Sequence, residues 1–241
     1  MDGRKALITG AASGIGRAVA RLFAEQGAAL VLLDRHGDAL HAVAGETGAS
    51  ALVLDLADIS AIDLAVEDAA KVMGGIDCVV NCAGISHIGP ISDVDRSTYK
   101  RLMTINLTAP FFLCRAAIPY LLQRKGSTIV NIASGAGLVP HVRNNTLYST
   151  SKGGLVLMSK ALATELAPNV RVNVVCPGVT HTAMTEGILA GADGGSFLRH
   201  YPMQRAADAE EIAQAVLFLA SDASSYVNGT AMAVDGGRCL H

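Results

Sequence analysis

The sequence predicts an α/β fold: a doubly wound parallel sheet of about seven strands, with helices on both faces. Three observations predict it. Runs rich in Val, Ile and Leu recur along the 241 residues, and runs of that kind are buried on both faces, as strands of a parallel sheet are. Stretches of helical periodicity separate them, which is the βαβ alternation of an open sheet with right-handed crossovers. The length suits a single domain, 1–241, because a doubly wound sheet needs most of such a chain.

The strands are expected at 4–9, 28–33, 50–54, 76–81, 127–133, 170–176 and 230–234. The helices between them are expected at 14–26, 37–46, 58–73, 92–124, 146–167 and 208–220. The long stretch 92–124 is expected to break, because Pro110 lacks an N–H and its ring distorts the turn before it. The stretch 146–167 starts after Asn144, Asn145 and Thr146, which are good capping residues, and stops before Pro168. Asp208 to Glu211 forms an acidic helix start, favoured by the helix dipole. Residues 183–203 break the rhythm and hold Gly187, Gly191, Gly194 and Gly195. An insertion of this length beside strand C-termini is expected to be a substrate lid.

Composition removes several functions. The chain is 51% hydrophobic but only 4% aromatic, so Ala, Val, Leu and Ile must fill its core. The formal net charge is -2 and neither sign clusters, which points away from nucleic acid and from anionic membranes. No apolar run is expected to approach the roughly 18 residues of a membrane span. Met1 to Lys5 lead directly into an apolar strand with no secretory pattern, so a cytoplasmic protein is expected. Five cysteines are an odd count without metal-like spacing. Cys78 and Cys82 fall on one strand about 13 Å apart, beyond the ~7 Å a disulfide spans, and are expected to be buried thiols. The seven histidines show no His-Glu-x-x-His pattern. His36 and His41 are expected to be solvated, Cys239 and His241 to be a tail, and no metal site is expected.

The first chemical signature follows strand 4–9. Gly10, Gly14 and Gly16 punctuate Thr9-Gly10-Ala11-Ala12-Ser13-Gly14-Ile15-Gly16, and an amphipathic helix follows. Missing side chains allow a tight turn and a close approach by a pyrophosphate, and a helix N-terminus supplies unpaired N–H groups. The unit reads as a Rossmann-type dinucleotide site. Asp34 ends the second strand, where a carboxylate accepts hydrogen bonds from ribose hydroxyls and repels a 2′-phosphate. The cofactor is therefore expected to be NAD. Arg35 beside it is the feature that would soften that preference.

The second signature is Tyr148 and Lys152, four residues apart on one helix face. A free phenol has a pKa near 10, and lowering it by three units requires about 4 kcal/mol. An ammonium at about 5 Å supplies roughly 3 kcal/mol at an effective dielectric of 20. The positive ring of an oxidised nicotinamide would add the remainder, so Tyr148 is expected to act as base in oxidation and, protonated, as acid in reduction. Ser134 ends a strand, where α/β folds place ligands, and its hydroxyl is suited to hold a substrate oxygen. Pro110 frees the Asn106 carbonyl to hold a water, giving a proton relay from that water to Lys152 and the ribose hydroxyl.

Taken together, these residues resemble the short-chain dehydrogenase/reductase family over essentially the whole chain. The matching motifs are Thr9 to Gly16, Asn81-Cys82-Ala83-Gly84, Asn106, Ser134, Tyr148 with Lys152, Pro177-Gly178 and Val234-Asp235-Gly236-Gly237. The resemblance implies that Asp55 and Leu56 border the adenine and that Asn81, Ala83 and Gly84 line the cofactor. It places Pro177 and Gly178 in the same site, with Val179 and Thr182 anchoring the nicotinamide carboxamide. It also implies a homotetramer built on the helices carrying Asn106 and Tyr148. Cys82 departs from the family pattern, which has a second asparagine there.

Substrate contacts are expected from Ser86, His87, His141, Arg143, Asn145, His181, Met184, Arg199, His200 and Tyr201. So polar a set suits a small polyol, hydroxy acid or ring diol, with Arg143 or Arg199 pairing an anionic group. The expected function is NAD-dependent interconversion of a secondary alcohol and a ketone. Two alternatives stay open: an NADPH-dependent 3-oxoacyl thioester reductase, against which Asp34 argues, and a catalytically silent NAD(H) sensor, against which Ser134, Tyr148 and Lys152 argue.

Overall fold

The computed structural model describes residues 1–140, 142–190 and 198–239. His141, the 191–197 portion of the expected lid, and His241 lie outside the described residues. Strands β1 (Lys5–Thr9), β2 (Ala29–Asp34), β3 (Ser50–Val53), β4 (Cys78–Asn81), β5 (Ser127–Ile132), β6 (Val170–Pro177) and β7 (Ala231–Val234) form one sheet. Its order is β3-β2-β1-β4-β5-β6-β7, and every pairing is parallel. Each strand lies within two residues of its expected position.

Alternation along the strands divides the core. Ala6 and Ile8 of β1 face one side with Leu30 and Leu32 of β2, while Leu7, Val31 and Leu33 face the other. On the first side pack α1 (Gly14–Glu25), α2 (Gly37–Thr47) and α7 (Ala209–Ala220), with Phe23 fully buried among them. On the second side pack α3 (Ile62–Met73), α5 (Ala109–Leu121) and α6 (Thr146–Leu166). Both faces of each strand are therefore apolar, which is why the strand runs read as continuous rather than alternating.

The stretch 92–124 does break, and the break has a defined form. Asp95 caps α4 (Arg96–Met103) by accepting from the Thr98 N–H at 2.7 Å. A π-helical turn, Thr104–Thr108, joins α4 to α5. The Ala109 N–H bonds the Thr104 carbonyl five residues back, and Pro110, next in line, has no N–H to give. The continuous helical run Arg96–Leu121 has a mean hydropathy of 1.3 over 18 residues, long and apolar enough to cross a membrane. This corrects the expectation that no run approaches that length. Its apolarity has a local cause: Leu102, Ile105, Leu113, Ala117 and Leu121 are buried within the domain.

A chain of buried amides and hydroxyls ties the sheet to α6. Asn81 Nδ2 donates to Asn131 Oδ1 at 2.7 Å, Asn131 Nδ2 to Ser159 Oγ at 2.7 Å, and Ser159 to the Leu155 carbonyl at 2.7 Å. Truncating the middle member strands the other two in an apolar interior. Asn131→Ala is expected to cost about 2–3 kcal/mol in urea unfolding; a loss under about 0.5 kcal/mol would show that the chain of bonds adds no stability.

Candidate active site

Strand order reverses between β1 and β4, so the loops after these strands part in opposite directions and leave a crevice. The two loops touch at their base. A methyl at Gly10, whose φ is +68°, would lie 2.7 Å from the Ala83 nitrogen, and one at Gly16 would overlap the Gly10 carbonyl. These two glycines are demanded by the chain's own close packing. Both also line the groove, together with Ser13, Gly14 and Ile15. Ser13 stands at the N-cap of α1, yet its side chain makes no capping bond, so first-turn N–H groups are left for a ligand.

The groove encloses about 290 Å³ and runs from Asp34, Arg35 and Asp55 past Leu56 and Ala83 to Gly84 and Thr182. At its far end Asp34 is held in place: Oδ2 accepts from the Ala12 N–H at 3.1 Å and Oδ1 from the His36 N–H at 3.0 Å. Arg35 Nε donates to His36 Nε2 at 3.1 Å. A long groove with helix N–H groups at its middle and a carboxylate at one end fits a dinucleotide.

A second cavity of about 360 Å³ continues the groove, sharing Ile15, Cys82, Gly84, Thr182 and Met184 with it. Ser134, Tyr148 and Lys152 line this second space, as do Pro177, Gly178 and Val179. Ser134 follows β5 and accepts from the Ala136 N–H at 3.1 Å. Tyr148 and Lys152 project from successive turns of α6. Ser151 supports them: its hydroxyl donates to the Tyr148 carbonyl at 2.7 Å and accepts from Asn106 Nδ2 at 3.1 Å. The rest of the Asn106 amide grips the loop after β4, with Oδ1 accepting from the Ile85 N–H at 2.9 Å and Nδ2 donating to the Ile85 carbonyl at 2.9 Å. Asn106 thus clamps β4's loop to α6 through its side chain, a role the sequence did not suggest.

The electrostatics differ from expectation. Lys152 is 3% exposed, and its ammonium donates to the Ile132 carbonyl at 2.8 Å. It lies 5.9 Å from the centre of the Tyr148 ring. Burial pushes the Lys152 ammonium down to about 8. Burial likewise raises the Tyr148 phenol above its ordinary value, and a hydrogen bond from the Ser134 side chain only partly opposes this. The expectation that Lys152 supplies most of the lowering of the phenol is therefore corrected. A cation short of solvent, turned to a carbonyl, does not outweigh the phenolate's own loss of water.

Other expected residues divide. Ser86, Asn145, Met184 and Tyr201 line the second cavity. His87, Arg143 and His181 line neither space. The His87 ring folds against Gly89, while Arg143 and His181 are exposed. Arg199 and His200 are also exposed. Asn81 does not reach the groove either; it is buried in the amide chain under the sheet. Cys82, Asp235 and Arg238 line the second cavity and were not expected there. The signal for Arg238 was the Gly236-Gly237 pair, which turns the chain back after β7. The thiols of Cys78 and Cys114 are fully buried and pushed up to about 12. Among the described residues no cluster suits a metal ion.

Residues 10–238 match the family profile described as Enoyl-(Acyl carrier protein) reductase. The chain is 35% identical to D-threitol dehydrogenase of Mycolicibacterium smegmatis, over 100% of this chain and 94% of that one. Its fold superposes with a TM-score of 0.95 on a short-chain dehydrogenase/reductase from Brucella melitensis, a glucose/ribitol dehydrogenase, at 36% identity over 100% and 98% of the two chains. It superposes at 0.94 on a short-chain dehydrogenase from Burkholderia cenocepacia in complex with NADP, at 30% identity over 98% of each chain. With its parallel seven-stranded sheet, its glycine loop and the convergence of Ser134, Tyr148 and Lys152, the chain belongs to the short-chain dehydrogenase/reductase family, the NAD(P)-dependent oxidoreductases that act on alcohol groups.

Proposed function

We propose that this protein is an NAD-linked dehydrogenase of a small polyhydroxylated or hydroxy-acid substrate, with Tyr148 as its acid/base. The observation that carries this reading is the convergence of Ser134, Tyr148 and Lys152 on one cavity that continues the dinucleotide groove. The threitol and glucose/ribitol dehydrogenases among its relatives support a substrate of that class.

Gly14, Ile15 and the first turn of α1 would hold the pyrophosphate, Asp34 the adenosine ribose, and Val179 and Thr182 the carboxamide. A bound oxidised dinucleotide would supply the hydride acceptor for the substrate carbon and a positive ring charge beside the phenol. Tyr148 takes the hydroxyl proton, Ser134 donates to the substrate oxygen, and Lys152 holds the ribose and favours the phenolate. A water on the Asn106 carbonyl passes the proton onward. Residues flanking 191–197 supply a lid, with Met184 and Tyr201 at its two ends against the cavity.

NAD is favoured because Asp34 stands where the adenosine ribose would lie. The Arg35 side chain, bonded to His36, is directed toward that neighbour. A carboxylate within about 5 Å of a 2′-phosphate costs roughly 3 kcal/mol at an effective dielectric of 20. We also read the protein as a homotetramer, which the exposed Tyr99, Phe111 and Leu157 on α4, α5 and α6 support. Light scattering should then return four times the 24.8 kDa of the chain; the mass of one chain would refute it.

A screen of alcohols read by NADH absorbance tests the enzymatic reading. Polyols or hydroxy acids should be oxidised with NAD preferred over NADP by about 100-fold. Tyr148→Phe should lose at least about 1000-fold in kcat while retaining dinucleotide binding. A preference for NADP, or an active phenylalanine variant, would reject it. A second expectation concerns pH. Lys152 has a folded pKa of about 8 against 10.5 in the unfolded chain. Between those values the unfolded chain binds more protons, so this site's contribution to stability rises with pH; below 8 the penalty for the buried charge is full. Lys152→Met should therefore gain stability relative to wild type at pH 7, and that advantage should shrink by up to about 1.4 kcal/mol per pH unit above 8. A pH-independent difference in urea unfolding would show that the ammonium is not desolvated.

A further inference from the structure

The walls of the reaction cavity are largely apolar, formed by side chains such as Ile88, Val142, Val179 and Met184. Two cations line it among the described residues, Lys152 and Arg238. The Lys152 ammonium donates to the Ile132 carbonyl, and its other donors are those assigned above to the cofactor ribose. Arg238 is differently placed. β7 ends at Val234, and Gly236 and Gly237 follow with φ of +62° and +83°. That left-handed pair turns the chain back over the cavity. Asp235 fixes the turn, with Oδ1 accepting from the Gly237 N–H at 3.0 Å and Oδ2 from the Cys239 N–H at 2.7 Å.

The guanidinium is held at two points. Its carbon stands 5.4 Å from the centre of the Tyr201 ring, and NH1 donates to the His200 carbonyl at 2.9 Å. Neither contact neutralises the charge. Among the described residues no carboxylate lies within ion-pair distance of Arg238. Asp235 lines the same cavity, but each of its oxygens is already bonded to a backbone N–H of the turn. An arginine carries five donors in a planar fork, so several remain for a planar anion. A neutral polyol gives such a fork no counter-charge, whereas a carboxylate matches it in shape and sign.

We propose that the alcohol taken by this cleft carries a carboxylate, that the Arg238 guanidinium reads it, and that the substrate class is therefore a short hydroxy acid. This rests on the dehydrogenase reading above and narrows it. The carboxylate is a handle and does not react. The carbinol C–H bond breaks with its electron pair passing to the oxidised dinucleotide, the hydroxyl proton passes to Tyr148, and the product is the corresponding keto acid. Arg143 and Arg199, the cations expected from the sequence to pair an anion, line neither space.

Matched pairs of substrates test the proposal: D-threonate against D-threitol, and 3-hydroxybutanoate against butane-1,3-diol. With NAD, kcat/KM should favour the acid of a pair by about 10-fold to 100-fold, the range of a charge-assisted hydrogen bond. Arg238→Gln, which still has a donor for the His200 carbonyl, should collapse the acid-to-neutral ratio to within about 3-fold of unity. Arg238→Lys, which keeps the charge but loses the fork, should retain part of it. Binding is read separately by NADH fluorescence, titrating the enzyme–NADH complex with butanoate and with butanamide. Butanoate should bind about 10-fold tighter, and Arg238→Gln should erase the difference. A wild-type ratio near unity, or a ratio that survives in Arg238→Gln, overturns the assignment while leaving a dehydrogenase. If no alcohol is oxidised but butanoate still binds through Arg238, the dehydrogenase reading falls and the anion site stands. If binding also fails to discriminate, both fall.

Discussion

The close approach of two loops underlies everything else in this molecule. β1 and β4 are neighbours in the sheet, but the chain leaves them toward opposite faces. Gly10 and Ala83 meet at the base of the two departing loops with no room for a side chain between them. That contact opens the crevice above it and sets the depth at which the first turn of α1 presents its N–H groups. A bulkier residue at Gly10 would push apart the wall that carries Asp34 and the wall that carries Ala83 and Gly84.

A second constraint is electrostatic. The fold buries an ammonium, Lys152, against one backbone carbonyl, and partly desolvates the phenol beside it. Neither placement favours the folded state by itself, because each desolvates a polar group. The surrounding bonds hold them there. Asn106 joins the β4 loop to Ser151, and Ser151 bonds the Tyr148 carbonyl. The π-helical turn beside Pro110 contains Asn106. An irregularity in one helix thus serves the geometry of another.

Much of this was legible in the sequence because it depends on local chemistry. The seven strands could be read from runs of Val, Ile and Leu, since a strand covered on both faces must be apolar throughout. Glycines flanked by strand and helix marked the groove. A four-residue spacing put Tyr148 and Lys152 on one face of α6, and Pro110 marked the break in 92–124 without its form. The apolar helical run Arg96–Leu121 was underestimated because its hydrophobicity is spread over three elements rather than gathered in one stretch.

What the sequence by itself determined was therefore the order of elements, the sheet, and the residue types that share a crevice. Tertiary structure alone decided which neighbours those residues meet. It sent Asn81 into an amide chain under the sheet and turned His87, Arg143 and His181 away from the cavity. It brought Arg238 over Tyr201, into the lining of the cavity that Tyr148 also lines. It also set the direction of the Tyr148 shift, since spacing fixes how close two groups come along a helix but only packing fixes how much water each one loses.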